Sequence, residues 1–211
     1  MFAFECRGYQ GAVMKRFLVA MLLFLGINQA NAQQLPPPID LGIVNIPQQT
    51  QVWCWVAVVE QITHWKSQTH PNTSPHQCQL VSVANGMSQP TCCNSALVMS
   101  NPMLADQCIR TGHDPEIMQL LSMVSNNVAG YGMPAHPMVL YNTLASGRPI
   151  ILKLQNTPFS GHVVVLRGMA WVQTPMGPTA VLYINDPLSY FTQPVPFQNI
   201  AHMWSGAFIA N

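Results

Sequence analysis

The sequence predicts an α+β protein: helices occupy the first half and an antiparallel β-sheet the second. Three observations carry this. Apolar residues at helical spacing crowd residues 53–65, whereas β-branched runs separated by turn residues begin only after Arg148-Pro149. Strands and helices do not alternate as βαβ units would require. The 211 residues are 49% hydrophobic and 7% charged, which suits one domain with a sizeable core and excludes a polyelectrolyte disordered chain.

Taken in order, Thr50 is expected to cap a helix that carries Cys54 in its first turn and ends near Lys66. Trp53, Trp55, Val56, Val58, Val59, Ile62 and Trp65 cover most of its circumference, so it is expected to be buried on several sides. Ser74-Pro75 starts a second short helix that ends near Gly86. Residues 92–108 read as irregular. Asp114-Pro115-Glu116 opens a third helix with Ile117, Leu120, Leu121 and Val124 on one face, and Pro137 to Ser146 forms a fourth, closed by Gly147. Strands are expected at Ile150–Leu154, His162–Trp171 and Ala180–Ile184, with Gly177-Pro178 turning between the last two. Phe191 to Ile209 adds another short strand or two.

The N-terminus has a different grammar. Met14-Lys15-Arg16, the apolar run Phe17 to Ile27, and Ala30-Asn31-Ala32 form the three regions of a secretory signal peptide. The run is shorter than the about 20 residues of a bilayer span. Residues 1–32 are therefore expected to be a removable leader, with Met14 a second candidate start. Residues 33–47, containing Leu35-Pro36-Pro37-Pro38, form an extended lead-in, and 48–211 the folded domain. The product is expected to be exported to the periplasm or secreted, without stable membrane insertion after cleavage. The net charge is +1, and removal of Arg7, Lys15, Arg16 and Glu5 makes it −1. No basic face exists for nucleic acid.

Export gives the cysteines meaning. With Cys6 in the leader, five remain, an odd number, so an oxidising compartment leaves at least one thiol unpaired. Cys78, Cys92, Cys93 and Cys108 cluster within 31 residues, while Cys54 stands apart in an apolar segment, which nominates Cys54 as the free thiol. Four cysteines permit three pairings. A Cys92–Cys93 bond would join Cα atoms about 3.8 Å apart, below the usual disulfide range. Two pairings stay open, each tying Cys78 to one member of the doublet and Cys108 to the other. These four lack the C-x-x-C spacing of zinc sites, and no phosphate-binding loop is present, so no metal or cofactor is expected.

A nucleophilic cysteine gains from the unpaired N–H groups of a helix's first turn and needs a base within reach, itself oriented by a third group. Of seven histidines, His64 lies ten residues along the same helix, roughly 15 Å from Cys54. His70 and His76 read as surface residues. His113, before Asp114, reads as a helix cap and is the second choice of base. His162 opens the apolar run Val163-Val164-Val165-Leu166, where a polar residue is out of place unless it is used. One strand later Asn185 and Asp186 end another apolar run, and could meet His162 across adjacent strands.

Together these residues resemble the papain-like cysteine peptidases, in the bacterial branch that includes secreted effector proteases and bacteriocin-processing peptidases. The resemblance rests on Pro47-Gln48-Gln49-Thr50-Gln51-Val52-Trp53-Cys54-Trp55-Val56-Ala57, Gly161-His162-Val163-Val164-Val165 and Ile184-Asn185-Asp186-Pro187. Gly147-Arg148-Pro149-Ile150 and the Cys92-Cys93 doublet are similar to elements of that group. Val56 departs from it, where many relatives have a small residue. The resemblance implies a papain-like fold and a protein or peptide substrate. It makes Cys54 the nucleophile, His162 the acid/base, Asp186 its orienter and Gln48, six residues before the cysteine, the oxyanion donor, with Gln49 and Gln51 as rivals for that last role. Other readings are a peptidoglycan amidase on the same scaffold, or a non-catalytic secreted binding module held by disulfides.

Overall fold

The computed structural model describes residues 35–67, 74–88, 90–124, 128–131, 135–157 and 160–211. The leader, Gln33, Gln34 and His70 lie outside them. Residues 36–211 form one compact unit. Its elements are β1 (Ile39–Asp40), α1 (Cys54–Lys66), α2 (Gln77–Ala84), a 3₁₀ turn (Thr91–Cys93), α3 (Ser95–Ser100), α4 (Pro102–Cys108), α5 (Asp114–Ser122), β2 (Val128–Tyr131), α6 (Pro137–Ala145), β3 (Ile150–Thr157), β4 (Ser160–Thr174), β5 (Gly177–Asn185), β6 (Val195–Pro196), α7 (Phe197–Ala201) and β7 (Trp204–Ala210).

Among the described residues the sheet has seven strands, six of them in the order β2-β7-β3-β4-β5-β6 and β1 beside β4 off this path, every pair antiparallel. β1 pairs with β4 at Met169 and Gly168, continuing the row that β3 occupies up to Leu166. Gly168 permits this, because a Cβ there would collide with the Ile39 carbonyl and lie 2.9 Å from Asp40 Cα.

Both faces of the sheet are covered. Val163, Val165, Ile151 and Phe208 join one core cluster with Trp55, Val56, Val59 and Ile62 of α1 and with Leu120 and Leu121 of α5. Val164, Leu166, Ile150, Leu152 and Leu154 join the other, with Leu140 and Leu144 of α6. That is why β4 reads as a continuous apolar run instead of the alternation usual for a half-solvated antiparallel strand. As its sequence requires, α1 is buried from Trp55 through Thr63. Among the described residues, no helix is long and apolar enough to cross a membrane.

Several expectations need correction. The second helix starts at Gln77, not Ser74, because His76 occupies the N-cap in extended backbone and forms a capping box with Gln79. Residues 92–108 are not irregular: the 3₁₀ turn, α3 and α4 fill them. The polar residues that made the stretch look loop-like are the caps, with Asn94 accepting from Leu97 N–H and Asn101 from Leu104 N–H. Thr50 caps the turn before α1 rather than α1 itself: its hydroxyl accepts from Val52 N–H at 3.4 Å, and Trp53 takes the N-cap position without a side-chain hydrogen bond. β2, too brief to stand out in sequence, pairs with β7. The C-terminal segment splits into β6, α7 and β7.

Candidate active site

Cys54 is the first residue of α1, and it is the free cysteine among the described residues. Because no side chain caps this helix, its first N–H groups are not taken by a capping side chain. The other four cysteines pair as Cys78–Cys93 and Cys92–Cys108, with Cα separations of 4.9 and 5.5 Å, which decides between the two pairings the sequence left open.

The tryptophans flanking Cys54 are fixed by the opposite wall of a cleft. Trp53 donates its indole N–H to Cys108 O at 2.9 Å, and Trp55 donates to Arg110 O at 3.2 Å. The Arg110 guanidinium lies 5.4 Å from the Trp55 ring centroid, pairs with Glu116 and donates to Asn85 Oδ1. The Cys92–Cys108 bridge holds the start of this wall. The cleft, about 540 Å³, is lined by Cys54, Trp55, Thr111 to Pro115, Lys153 and Gly161 to Val163, among others. Lys153 of β3 reaches Asp114 of α5 at 2.7 Å, joining the sheet side to the helical side.

His162 and Asp186 meet across adjacent strands β4 and β5. His162 Nε2 lies 2.6 Å from Asp186 Oδ1, and both side chains are buried. Cys54 lines the same cleft as His162, and its side chain is among the influences that raise the His162 pKa. Burial alone would lower the His162 pKa, but the bonds to Asp186 and Cys54 outweigh it and raise it to about 9. Burial would conversely raise Asp186, yet His162 and backbone N–H groups hold it below its ordinary value. Those N–H groups belong to Leu188, Tyr190 and Phe191, so the carboxylate also closes the turn after β5. Asn185, the other polar residue ending β5, does separate work, donating to Ile43 O at 2.7 Å. Tyr190 meets the His162 ring edge-on, with centroids 6.0 Å apart.

Gln48 is half-buried and precedes α1 in a loop. Its Nε2 donates to Thr50 O at 2.6 Å, its backbone N–H donates to Pro187 O at 3.1 Å, and its Oε1 is buried without a partner. Gln49 and Gln51 are exposed. His113 lines the cleft and caps α5, while His64, His76, His136 and His202 are exposed.

Sequence reasoning missed the cleft residues Thr111, Gly112 and Lys153, because loop residues and a strand lysine carry no signal of what they face. It also missed the polar cluster of Glu60, Gln61 and Gln77, for which a signal existed: two polar residues interrupt the apolar face of α1.

The fold and this cleft define a cysteine peptidase of papain-like architecture. The chain belongs to the family described as papain-like cysteine protease AvrRpt2, whose model matches residues 39–199. No curated protein matches the sequence. Among solved structures, a putative C39-like peptidase from Bacillus anthracis aligns with TM-score 0.54 at 15% identity, covering 83% of this chain and 98% of that one. The peptidase domain of Streptococcus ComA, described as a bi-functional ABC transporter involved in a quorum-sensing pathway, aligns with TM-score 0.49 at 13% identity, covering 80% and 98%.

Proposed function

We propose that this peptidase is exported and cleaves peptide bonds through Cys54, His162 and Asp186, with Gln48 as oxyanion donor. The observation that carries the reading is His162, which is bonded to Asp186 at 2.6 Å and lines the same cleft as the one free thiol among the described residues.

The Cys54 thiol gives its proton to His162, the resulting thiolate attacks the scissile carbonyl carbon, a C–S bond forms, and the π electrons move to the carbonyl oxygen. The Cys54 backbone N–H and the Gln48 amide flank that oxygen. The amide has two N–H bonds and uses one on Thr50, so the second is available. Loss of such a donor typically costs about 2.7–4 kcal/mol of barrier. As the C–N bond breaks, protonated His162 gives its proton to the leaving amine. Water then attacks the thioester, His162 takes the water's proton, and the C–S bond breaks to release the acid. Asp186 keeps Nε2 occupied and so turns Nδ1 toward the sulfur throughout.

Export rests on the leader at residues 1–32 and agrees with two disulfides in the domain beyond it. Mass spectrometry of a peptide library digested by wild type and Cys54→Ala tests the activity: cleavage by wild type alone is expected, and equal cleavage by both sinks the reading. N-terminal analysis of protein recovered outside the cytoplasm should find Gln33 first. Retention of residues 1–32 in that fraction would overturn the leader assignment.

A further inference from the structure

We infer that Gln77, oriented by the buried carboxylate of Glu60, is a positioning residue that holds Gln48 in register with Cys54. This rests on the proposed role of Gln48 and extends it to side chains that touch neither thiol nor substrate.

Gln77 is the first residue of α2 and is fully buried. Its amide makes three hydrogen bonds. Nε2 donates to Pro47 O at 2.9 Å and to Glu60 Oε2 at 2.8 Å, while Oε1 accepts from Gln49 N–H at 2.8 Å. The residues immediately before and after Gln48 are thus gripped by one side chain. A carboxylate only accepts and a peptide N–H only donates, so Glu60 and Gln49 together permit one orientation of the amide. Glu60 is itself buried, on the second turn of the helix that Cys54 begins. The chain of contacts therefore runs from the nucleophile's helix through Glu60 and Gln77 to both peptide groups beside Gln48.

The neighbouring residue repeats the design. Gln61 donates to Asn45 Oδ1 at 3.1 Å and Ile46 O at 3.0 Å, and Asn45 donates to Asp186 O at 3.0 Å. Residues 45–49 have no helix or strand of their own to fix them. Their position relative to Cys54 and Asp186 is fixed by these polar side chains together with the bond from Gln48 N–H to Pro187 O. An interior glutamine and glutamate on otherwise apolar surfaces are costly unless satisfied; here Glu60 is met by the Gln77 and His76 side chains, and Gln77 by Glu60 and the backbone on either side of Gln48.

The test separates positioning from general stability. Gln77→Met keeps the volume and removes the hydrogen bonds; Gln77→Asn keeps a buried amide but retracts it, and serves if the methionine variant does not fold. We expect kcat on a peptide substrate to fall roughly 10–100-fold, the scale for small misplacement of a catalytic group, with KM within about twofold. Alkylation of Cys54 by iodoacetamide proceeds at a saturated carbon and develops no oxyanion, so its rate should stay at the wild-type value. In a Gln48→Ala background the same substitution should cause no further loss of kcat. Wild-type kcat in a folded Gln77 variant, parallel loss of alkylation, or an equal further loss in the Gln48→Ala background would each overturn the inference. Unchanged turnover in Gln48→Ala alone would remove Gln48 from the machinery, and this inference with it, while leaving the Cys54, His162 and Asp186 assignments standing.

Discussion

Gly112 lies so close to the indole of Trp55 that a Cβ on the glycine would overlap Cδ2, Cε3 and Cγ of the ring. Trp55, the residue after Cys54, is therefore packed against the backbone of the opposing cleft wall. Its N–H holds that wall at Arg110 O, and its ring face sets how near the wall comes. The Trp-Cys-Trp motif is in this sense a hinge pin for the cleft as well as a hydrophobic anchor for α1.

Gly112→Ala should accordingly force Trp55 or residues 110–113 to shift. Overpacking of this kind costs about 1–3 kcal/mol, so thermal unfolding should occur several degrees lower, and KM should rise. Gly161→Ala is the control for stability, because its Cβ would meet only Leu154 O at 3.6 Å. Equal melting temperatures for the two variants would show that the Trp55 contact is not tight in solution.

Cys54→Ala and His162→Ala are each expected to abolish peptide turnover while circular dichroism shows the fold retained. Asp186 should divide in two. Asp186→Asn leaves weak residual activity, since an orienter contributes less than groups that change bonds. Asp186→Ala also strips acceptors from Leu188, Tyr190 and Phe191 N–H and should lower the melting temperature more than Asn does. Full turnover in His162→Ala would shift the search for the base to His113.

The pH dependence follows from His162, raised to about 9. Activity that needs the imidazolium should fall on an alkaline limb near pH 9, and Asp186→Asn should move that limb to lower pH, because removing the carboxylate disfavours the cation. The linked stability has the same sign. A folded pKa above the unfolded value near 6.5 stabilises fully below that value, and the contribution is lost as pH rises through about 9. Asp186, held low, contributes stability above the ordinary carboxylate range that is lost as pH falls below it. Profiles of kcat/KM and melting temperature against pH read both. An alkaline limb unmoved by Asp186→Asn would contradict the assignment.

Reduction of the two disulfides should lower the melting temperature without alkylating or oxidising Cys54. Their sequence separations are 15 and 16, loops worth about 3 kcal/mol each in the chain-entropy model. Removing Cys92–Cys108 by paired alanines should raise KM more than removing Cys78–Cys93, because Cys108 O receives the Trp53 indole and begins the cleft wall. Non-reducing peptide mapping should recover these two bridges and a free Cys54; any bridge to Cys54 would refute the arrangement.

Local chemistry determined a good part of this protein without reference to its fold. The apolar circumference of residues 53–65 required a buried helix, the β-branched runs after Pro149 required strands, and the position of Cys54, apart from the cluster of Cys78, Cys92, Cys93 and Cys108, set it off from them. A histidine at the head of Val163-Val164-Val165 and an aspartate ending the next strand were legible as a pair because hairpin neighbours in sequence are neighbours in a sheet. Short capped helices at 95–108 were not legible, since asparagine, serine and proline serve caps and loops alike. What only tertiary structure decided were relationships without local signature: which of Cys92 and Cys93 meets Cys78, which carbonyls receive the Trp53 and Trp55 indoles, that Lys153 faces Asp114 across the cleft, and that Gln77 grips the peptides beside Gln48. Each joins residues whose sequence spacing is set by loop lengths, and a side chain's partner there depends on where the rest of the chain has packed, not on its own neighbours in sequence.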